Sequence, residues 1–249
     1  MDQARERNHA DVSIHEHSDL LDALQPQDRA LLLPLLTEVR LETGRVLYDP
    51  GEPVDTCYFP RGGAIASFFV VLEDGDVVET LMVGREGALG AIVSSGATPA
   101  YARSSVMHGG LFYRVRAADL DRAKGSSQAV RLLFAHYADC LMAQVFQSIA
   151  CNAVHTIEQR AAKWLIAGIE RIGRNDITMT QEQLASMMGI GRSYASRVVQ
   201  RFKSDGLVRT RRGGIEVVAP EQLGHRACTC NHLVKRHFER VLAGVYPTG

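Results

Sequence analysis

Two arginines, Arg192 and Arg197, stand five residues apart in the stretch GIGRSYASRVVQRF. Arginine offers a planar, permanently charged fork of N–H donors that matches a guanine edge or a phosphate group. The small residues Ser193 and Ser196 would let a helix carrying these arginines approach a surface closely. The segment therefore poses a choice between a recognition surface for a polyanion and an ordinary solvated helix face.

The residues around these arginines predict two helices joined by a short turn. Thr180 followed by Gln183 is a capping-box pattern that marks the start of the first helix. Gly189-Ile190-Gly191 has the length of a helix-turn-helix elbow. The second helix is expected to bury one side at three–four spacing, through Ala195, Val198 or Val199, and Phe202. That spacing turns both arginines outward.

A basic hairpin is predicted directly after the second helix. DGLVRT and GIEVV read as two strands, joined by Arg211-Arg212-Gly213-Gly214. Helix, glycine turn, helix and basic wing together predict binding to duplex DNA, whereas a solvated helix would require neither elbow nor wing. Arg192 and Arg197 are expected to read bases, and the wing to hold phosphate. The predicted DNA contacts are Thr180, Gln181, Arg192, Ser193, Tyr194, Ser196, Arg197, Arg201, Arg211 and Arg212.

Composition and charge agree with this division of the chain. The formal net charge is zero, but residues 157–249 hold 15 Lys/Arg against 8 Asp/Glu. A basic C-terminal part favours a polyanionic partner, although a chance excess on a solvated surface is the alternative. No apolar run reaches the roughly 18 residues of a membrane span. The five scattered cysteines and the polar N-terminus favour a reduced, cytoplasmic protein.

Changes in residue pattern and glycine content along the chain predict the domain organisation. Residues 1–18 read as a mobile tail, and 19–125 as an antiparallel β-roll punctuated by glycines, with a hairpin turn at EDGD. Residues 126–155 read as a long helix with its hinge, and 156–249 as the winged helix-turn-helix domain. The predicted fold class is α+β: a jelly-roll-like N-terminal β-roll, a dimerisation helix and a C-terminal winged helix.

The long helix carries two apolar stripes, which suit packing against its own domain and against a partner helix. The sequence therefore predicts a homodimer; burial of the helix within a monomer is the alternative. A break is expected at Cys151-Asn152, before a second helix from about Thr156. The residues assigned to the dimer contact are Val130, Leu133, Phe134, Tyr137 and Leu141.

With these elements the sequence resembles the Crp/Fnr family of bacterial transcription regulators. In that family an arginine opens the recognition helix and a second follows five residues on, which matches Arg192 and Arg197. Many members carry glutamate where this chain has Ser193, so the resemblance implies DNA binding but not the family's usual half-site preference. CNAVHTIEQRAAKWLI and ACTCNH are similar to a subgroup of the family. The resemblance implies a dimeric regulator that binds an inverted-repeat DNA site and acts with RNA polymerase.

The resemblance also implies a place for an effector, around Gly87, Ala88, Leu89, Gly90, Arg103 and Ser104. Arg103-Ser104 matches the pair that holds the cyclic phosphate in nucleotide-binding members, and N–H groups after Gly87 could cradle an anion. Ala88, however, replaces the glutamate that accepts the ribose hydroxyl. Cyclic AMP in the usual pose is therefore not expected. Another small anionic effector and a purely structural roll both stay open, and no cofactor is predicted.

The sequence also bears on two other functions, metal binding and catalysis. Cys228 and Cys230, with His225 and His232 nearby, offer soft metal ligands, but C-x-C without a second pair favours ordinary thiols, and no metal site is predicted. The sequence has no zinc-protease motif, P-loop or nucleophile elbow, so it is not expected to be an enzyme. The alternative function is a ligand-binding or redox- or metal-responsive sensor with secondary DNA binding.

Overall fold

The computed structural model describes residues 17–73, 75, 77–93, 96 and 98–245. Residues 1–16 of the predicted tail, and two residues of the EDGD turn, lie outside the described residues. The helices are α1 (Asp19–Asp22), α2 (Pro26–Leu32), α3 (Ala117–Ser126), α4 (Gln128–Val154), α5 (Ile157–Ile172), α6 (Gln181–Met188), α7 (Arg192–Ser204), α8 (Pro220–Arg226) and α9 (Cys230–Ala243). None of them is long and apolar enough to cross a bilayer.

In the described part of the chain, seven strands form the antiparallel N-terminal β-roll that the sequence predicted. They are β1 (Thr37–Leu41), β2 (Val46–Tyr48), β3 (Thr56–Pro60), β4 (Ile65–Val71), β5 (Val77–Val83), β6 (Arg103–His108) and β7 (Gly110–Arg116). One antiparallel sheet has the order β1-β7-β3, and the other has the order β2-β6-β4-β5. Alternating side chains from both sheets, such as Val106 and Phe112, bury a common core.

Helix α4 leaves the roll as a continuous rod of 27 residues. Ser127 caps its first turn, where the side chain accepts a hydrogen bond from the Val130 N–H. The helix ends at Val154, the backbone of His155 is extended, and Thr156 with Gln159 forms a capping box for α5. The break predicted at Cys151-Asn152 was wrong by one helical turn, because the cap of the next helix and not the Cys-Asn pair sets the boundary.

The C-terminal domain is a winged helix. Helices α5, α6 and α7 pack with the sheet β8-β10-β9, which comprises β8 (Asp176–Ile177), β9 (Val208–Arg211) and β10 (Gly214–Val217). Its core includes Leu184, Val199 and Phe202, all nearly inaccessible to solvent. An antiparallel roll, a long helix and this domain confirm the predicted fold class.

The last helix, α9, folds back along α4. The Phe238 ring meets the Tyr137 ring edge-on, with centroids 6.3 Å apart, and Phe238 joins a core shared by α1, α4 and the roll. The winged helix itself rests against the four-stranded sheet of the roll. There the Ser186 hydroxyl donates to the Val77 carbonyl at 2.6 Å, and Arg171 pairs with Glu86 at 2.8 Å.

This packing corrects the dimer residues predicted from sequence. Val130, Leu133, Phe134 and Tyr137 are at most 1% exposed, and Leu141 is half-buried against the same core. Phe134 meets Phe59 of the roll edge-on, with ring centroids 6.1 Å apart. A partner helix cannot reach side chains that the roll and α9 already cover. The apolar surface of α4 that remains accessible lies further along, at Met142, Val145, Phe146, Ile149 and Val154.

Candidate nucleic-acid interface

Helices α6 and α7 meet at the predicted elbow. Thr180 and Gln183 form the capping box of α6, with the Gln183 N–H donating to Thr180 Oγ1 at 3.1 Å. Gly189 ends that helix at φ 62°, a left-handed conformation that favours glycine. Ile190 packs against the domain core, and α7 begins at Arg192. The turn therefore has the length and the inward apolar residue that the sequence predicted.

Helix α7 buries one side and presents the other to solvent. Ala195, Val198, Val199 and Phe202 are buried, so both valines contribute to the core. The opposite face exposes Arg192, Ser193, Tyr194, Arg197 and Gln200, with Ser196 half-buried between them. Within the described chain, no carboxylate forms an ion pair with Arg192 or Arg197. Two guanidinium groups are thus held on one helix with their donors available to an outside acceptor.

One contact orients this face from within. The Arg197 guanidinium lies 5.0 Å from the centroid of the Tyr194 ring, one turn earlier on α7. A cation over an aromatic ring restricts the rotamers of a long side chain while leaving its edge donors free. Tyr194 is 44% exposed, so part of the ring also remains open to a ligand.

The wing is a tight hairpin next to α7. Strand β9 pairs with β10 from Arg211↔Gly214 to Val208↔Val217, so that Arg212 and Gly213 form a two-residue turn. Gly213 takes φ 75°, a left-handed conformation that glycine adopts without a steric penalty. Thr180, Gln181, Arg192, Arg211 and Gly213 line one cleft between the wing and the starts of α6 and α7.

Two of the predicted DNA-contact arginines already have partners inside the protein. Arg211 pairs with Glu216 at 3.0 Å and with Asp176 at 3.2 Å, and the hydrogen bond to Glu216 raises the pKa of Arg211 above its ordinary value. Arg201 pairs with Glu158 at 2.7 Å. Arg212, at the wing tip, is exposed and makes no ion pair with any described residue. Of the two wing arginines predicted to contact DNA, Arg211 and Arg212, it is therefore Arg212 whose charge no described carboxylate shares.

The predicted effector cassette is filled by the protein itself. The Gly87 N–H donates to the Gly84 carbonyl and the Leu89 N–H to the Tyr58 carbonyl, and Gly90 adopts φ 85°. The Tyr137 hydroxyl accepts from the Ala88 N–H at 2.9 Å and donates to the Ala88 carbonyl at 3.0 Å. The N–H groups of Gly87, Ala88 and Leu89 are therefore already engaged within the protein and do not point to the anion cradle expected there.

The second half of the cassette is also engaged. Arg103, in β6, pairs with Asp49 beside β2. Ser104 is fully buried in the same strand. A different opening, a cleft of about 250 Å³, lies between the roll, α5 and α9 and is lined by Arg85, Arg171 and Lys235, among others. Sequence reasoning missed this cleft because its walls come from three distant segments.

The cysteines of the ACTCNH segment do not meet the histidines singled out from the sequence. Instead, among the described residues, Cys228 and Cys230 come together with Cys151 and His155, which belong to the CNAVH stretch at the end of α4. All three cysteines are buried. The signal for this grouping was present as two separate motifs, but their proximity follows from the return of α9 to α4.

Comparisons with known proteins agree with this architecture. Residues 159–226 match a family model described as the Crp-like helix-turn-helix domain. The structure of FixK2 from Bradyrhizobium japonicum superimposes with a TM-score of 0.65 at 14% identity, over 78% of this chain and 98% of that chain. CLP, a c-di-GMP-responsive global regulator from Xanthomonas campestris, gives 0.63 at 14%, over 78% and 99%. A CRP-family regulator from Thermus thermophilus gives 0.62 at 17%, over 76% and 96%.

A comparison with curated proteins found no significant match. The chain thus carries a Crp-like helix-turn-helix domain within the fold of the Crp/Fnr transcription regulators. CLP and the Thermus thermophilus protein, which share this fold, are transcription regulators.

Proposed function

We propose that this chain is a homodimeric, sequence-specific DNA-binding transcription regulator that binds an inverted-repeat site. The observation that carries the proposal is the exposed face of α7, where Arg192 and Arg197 have no ion-pair partner among the described residues. Charged donors left unpaired on a helix that follows a helix-turn-helix elbow suit the edge of a major groove. Arg212 at the wing tip supplies a matching phosphate contact.

Dimerisation is supported by the apolar stripe on the C-terminal half of α4. Phe146 and Ile149 are both 63% exposed and Met142 is 54% exposed, at three–four spacing. Large apolar side chains grouped on one helix face mark an interaction surface. A second copy of the same helix would cover this stripe through a two-fold contact. Two recognition helices related in this way would then reach successive major grooves about one helical turn apart.

The roll is proposed to act without cyclic AMP in its usual pose. Ala88 offers no acceptor for a ribose hydroxyl, and the Tyr137 hydroxyl occupies both backbone groups of that residue. The internal hydrogen bonds of residues 87–89 tie the roll to α4 instead. We also propose that the dimer is located in the cytoplasm and acts on RNA polymerase.

The deciding experiment separates a regulator from a sensor module that binds DNA only weakly. Sites are selected from random duplexes with the purified protein, and the affinity for the selected site is measured against its scrambled sequence over a salt series. A regulator should prefer the selected inverted repeat by about 10³-fold or more. A sensor module should show equal, weak and salt-sensitive binding to both duplexes, and that result would reject the proposal.

A further inference from the structure

Three cysteines and one histidine, side chains of the types that ligate metals, lie together where the winged helix joins the rest of the protein. Cys151 lies in the last turn of α4 and His155 directly after that helix. Cys228 precedes α9, and Cys230 is the first residue of α9. The ligand atoms of all four lie within 4.8 Å of one another. Two segments far apart in the chain thus contribute two ligands each.

The spacing of these atoms matches the edges of a tetrahedral zinc site. Zinc–sulfur bonds of about 2.3 Å and zinc–nitrogen bonds of about 2.0–2.1 Å place two sulfurs about 3.8 Å apart, and a sulfur and a nitrogen about 3.6 Å apart. Here Cys151 Sγ lies 3.6 Å from Cys228 Sγ, and Cys230 Sγ lies 3.5 Å from His155 Nδ1. Both separations suit ligands that share one small ion.

The surroundings complement the charge of such a site. A divalent ion with three thiolates and a neutral imidazole carries one net negative charge. The ammonium of Lys163, a buried residue of α5, lies 3.6 Å from Cys151 Sγ. The Gln147 amide donates to Cys230 Sγ at 3.2 Å. One cation and one N–H donor therefore already face the sulfurs, as is common around metal-bound ligands.

We propose that Cys151, His155, Cys228 and Cys230 bind one Zn²⁺ as a closed structural site. Three sulfurs and one imidazole are a ligand set that tetrahedral zinc prefers. An iron–sulfur cluster would spread its ligands over several irons and so further apart. A Cys151–Cys228 disulfide would require the sulfurs to approach to about 2.05 Å, and it would leave Cys230 and His155 without a role.

The position of the site gives it a mechanical consequence, which rests on the proposed function. The Crp-like domain spans residues 159–226, so one ligand pair precedes the domain and the other follows it. A bound ion would fasten both ends of the DNA-binding domain to the end of α4. Because binding then couples to local folding, zinc would fix the direction in which the recognition helix projects from the dimer.

The first test measures metal on the full-length protein purified under reducing conditions without chelator. Elemental analysis should find one zinc per chain, and the Cys228→Ser/Cys230→Ser variant should hold none. Cys140→Ala is the matched control, since Cys140 is a buried thiol outside the cluster and should leave zinc unchanged. His155→Cys should keep the metal, whereas Gln147→Ala should weaken zinc affinity about 10–100-fold.

A second measurement uses the unaltered chain, in case the serine variant fails to fold. Zinc is removed with a chelator and replaced by Co²⁺, whose visible spectrum reports tetrahedral geometry and whose charge-transfer intensity reports the number of thiolates. A tetrahedral spectrum with three thiolates supports the site. A protein with neither zinc nor a cobalt spectrum overturns it, as does iron–sulfur absorption or a Cys151–Cys228 disulfide without metal.

Metal analysis and DNA-binding measurements together test the zinc site and the proposed function separately. A protein that holds one zinc but prefers no DNA sequence would keep the site and refute the regulator. A protein that binds its selected DNA without any metal would keep the regulator and refute the site. If both proposals hold, removal of zinc should lower affinity for the selected DNA at least 10-fold, and zinc added back should restore it.

Discussion

The Arg197 guanidinium lies over the Tyr194 ring, 5.0 Å from its centroid, on the exposed face of α7. Both side chains point away from the core that Val198 and Val199 fill. The ring therefore limits the conformations of the arginine before any ligand arrives, and pre-organisation of this kind reduces the entropy lost on binding.

Removal of the Tyr194 ring should weaken DNA binding even though the charge of Arg197 remains. Tyr194→Ala should lower affinity for the selected DNA about 2- to 5-fold, consistent with a cation–π contact worth about 0.5–1 kcal/mol. Tyr194→Phe keeps the ring and is the matched control. Fluorescence anisotropy with a labelled duplex measures both variants. Equal losses in Ala and Phe would show that the hydroxyl, not the ring, matters.

Two arginine substitutions should affect DNA binding in different ways, one through base recognition and the other through a phosphate contact. Arg197→Ala should cost about 1–3 kcal/mol on the selected site and relax preference at one base pair in each half-site. Arg212→Ala should weaken all sequences alike and flatten the salt dependence by about one unit per lost contact. Competition against scrambled duplex tests both. Arg197 is merely a phosphate anchor if its loss affects both duplexes by the same factor.

The dimer should depend on the exposed end of α4. Phe146→Glu combined with Ile149→Glu should give a monomer, since each interface would have to bury unpaired carboxylates. Light scattering at micromolar concentration reports the mass, and circular dichroism checks that the chain stays folded. Tyr101→Glu, at a still more exposed position on the roll, is the control. A double variant that remains dimeric would move the contact elsewhere.

Cyclic AMP should not bind to the roll. Calorimetry should detect no heat at micromolar protein, because the 87–89 backbone is bonded internally and Ala88 is fully buried. For the same reason Ala88→Glu should not create a site: it buries a carboxylate in the core that Ala88 shares with Tyr137 and should instead lower the free energy of unfolding. Micromolar binding of cyclic AMP to the unaltered protein would contradict the prediction.

Stability should fall as pH rises because of one buried carboxyl group. Burial raises the pKa of Glu79 from 4.5 to about 8, although a hydrogen bond from Ser67 opposes the shift. Between these values the unfolded chain releases a proton that the folded chain keeps. The free energy of unfolding therefore decreases with pH, by at most about 1.4 kcal/mol per unit.

Glu79→Gln should remove that dependence. The free energy of unfolding of the variant, relative to that of the unaltered protein, should rise from pH 5 to pH 8 by a few kcal/mol at most. Glu182→Gln, an exposed carboxyl on α6, should leave the pH profile as it is. Denaturant titrations at the two pH values measure the difference, and a constant difference between them would show that Glu79 is ionised in the folded protein.

Much of the interface could be predicted because its signals are local. The capping box at Thr180, the elbow around Ile190 and the buried positions of α7 depend on spacing within a few residues, and the structure has each of them. The same holds for the turn of the wing, where Gly213 takes a positive φ. The internal pairing of Arg211 could not be predicted, because Asp176 approaches only through the third strand of that sheet.

The sequence by itself determined the order of roll, helix and winged domain, and the outward direction of Arg192 and Arg197, because helix and strand periodicity is a property of the chain. Tertiary structure alone decided which half of α4 is covered and which thiols meet. Both depend on α9. Its Phe238 packs against Tyr137 in the first half of α4, and its Cys230 lies close to Cys151 and His155. No local pattern encodes that contact, since it is set by packing between segments about 80 residues apart.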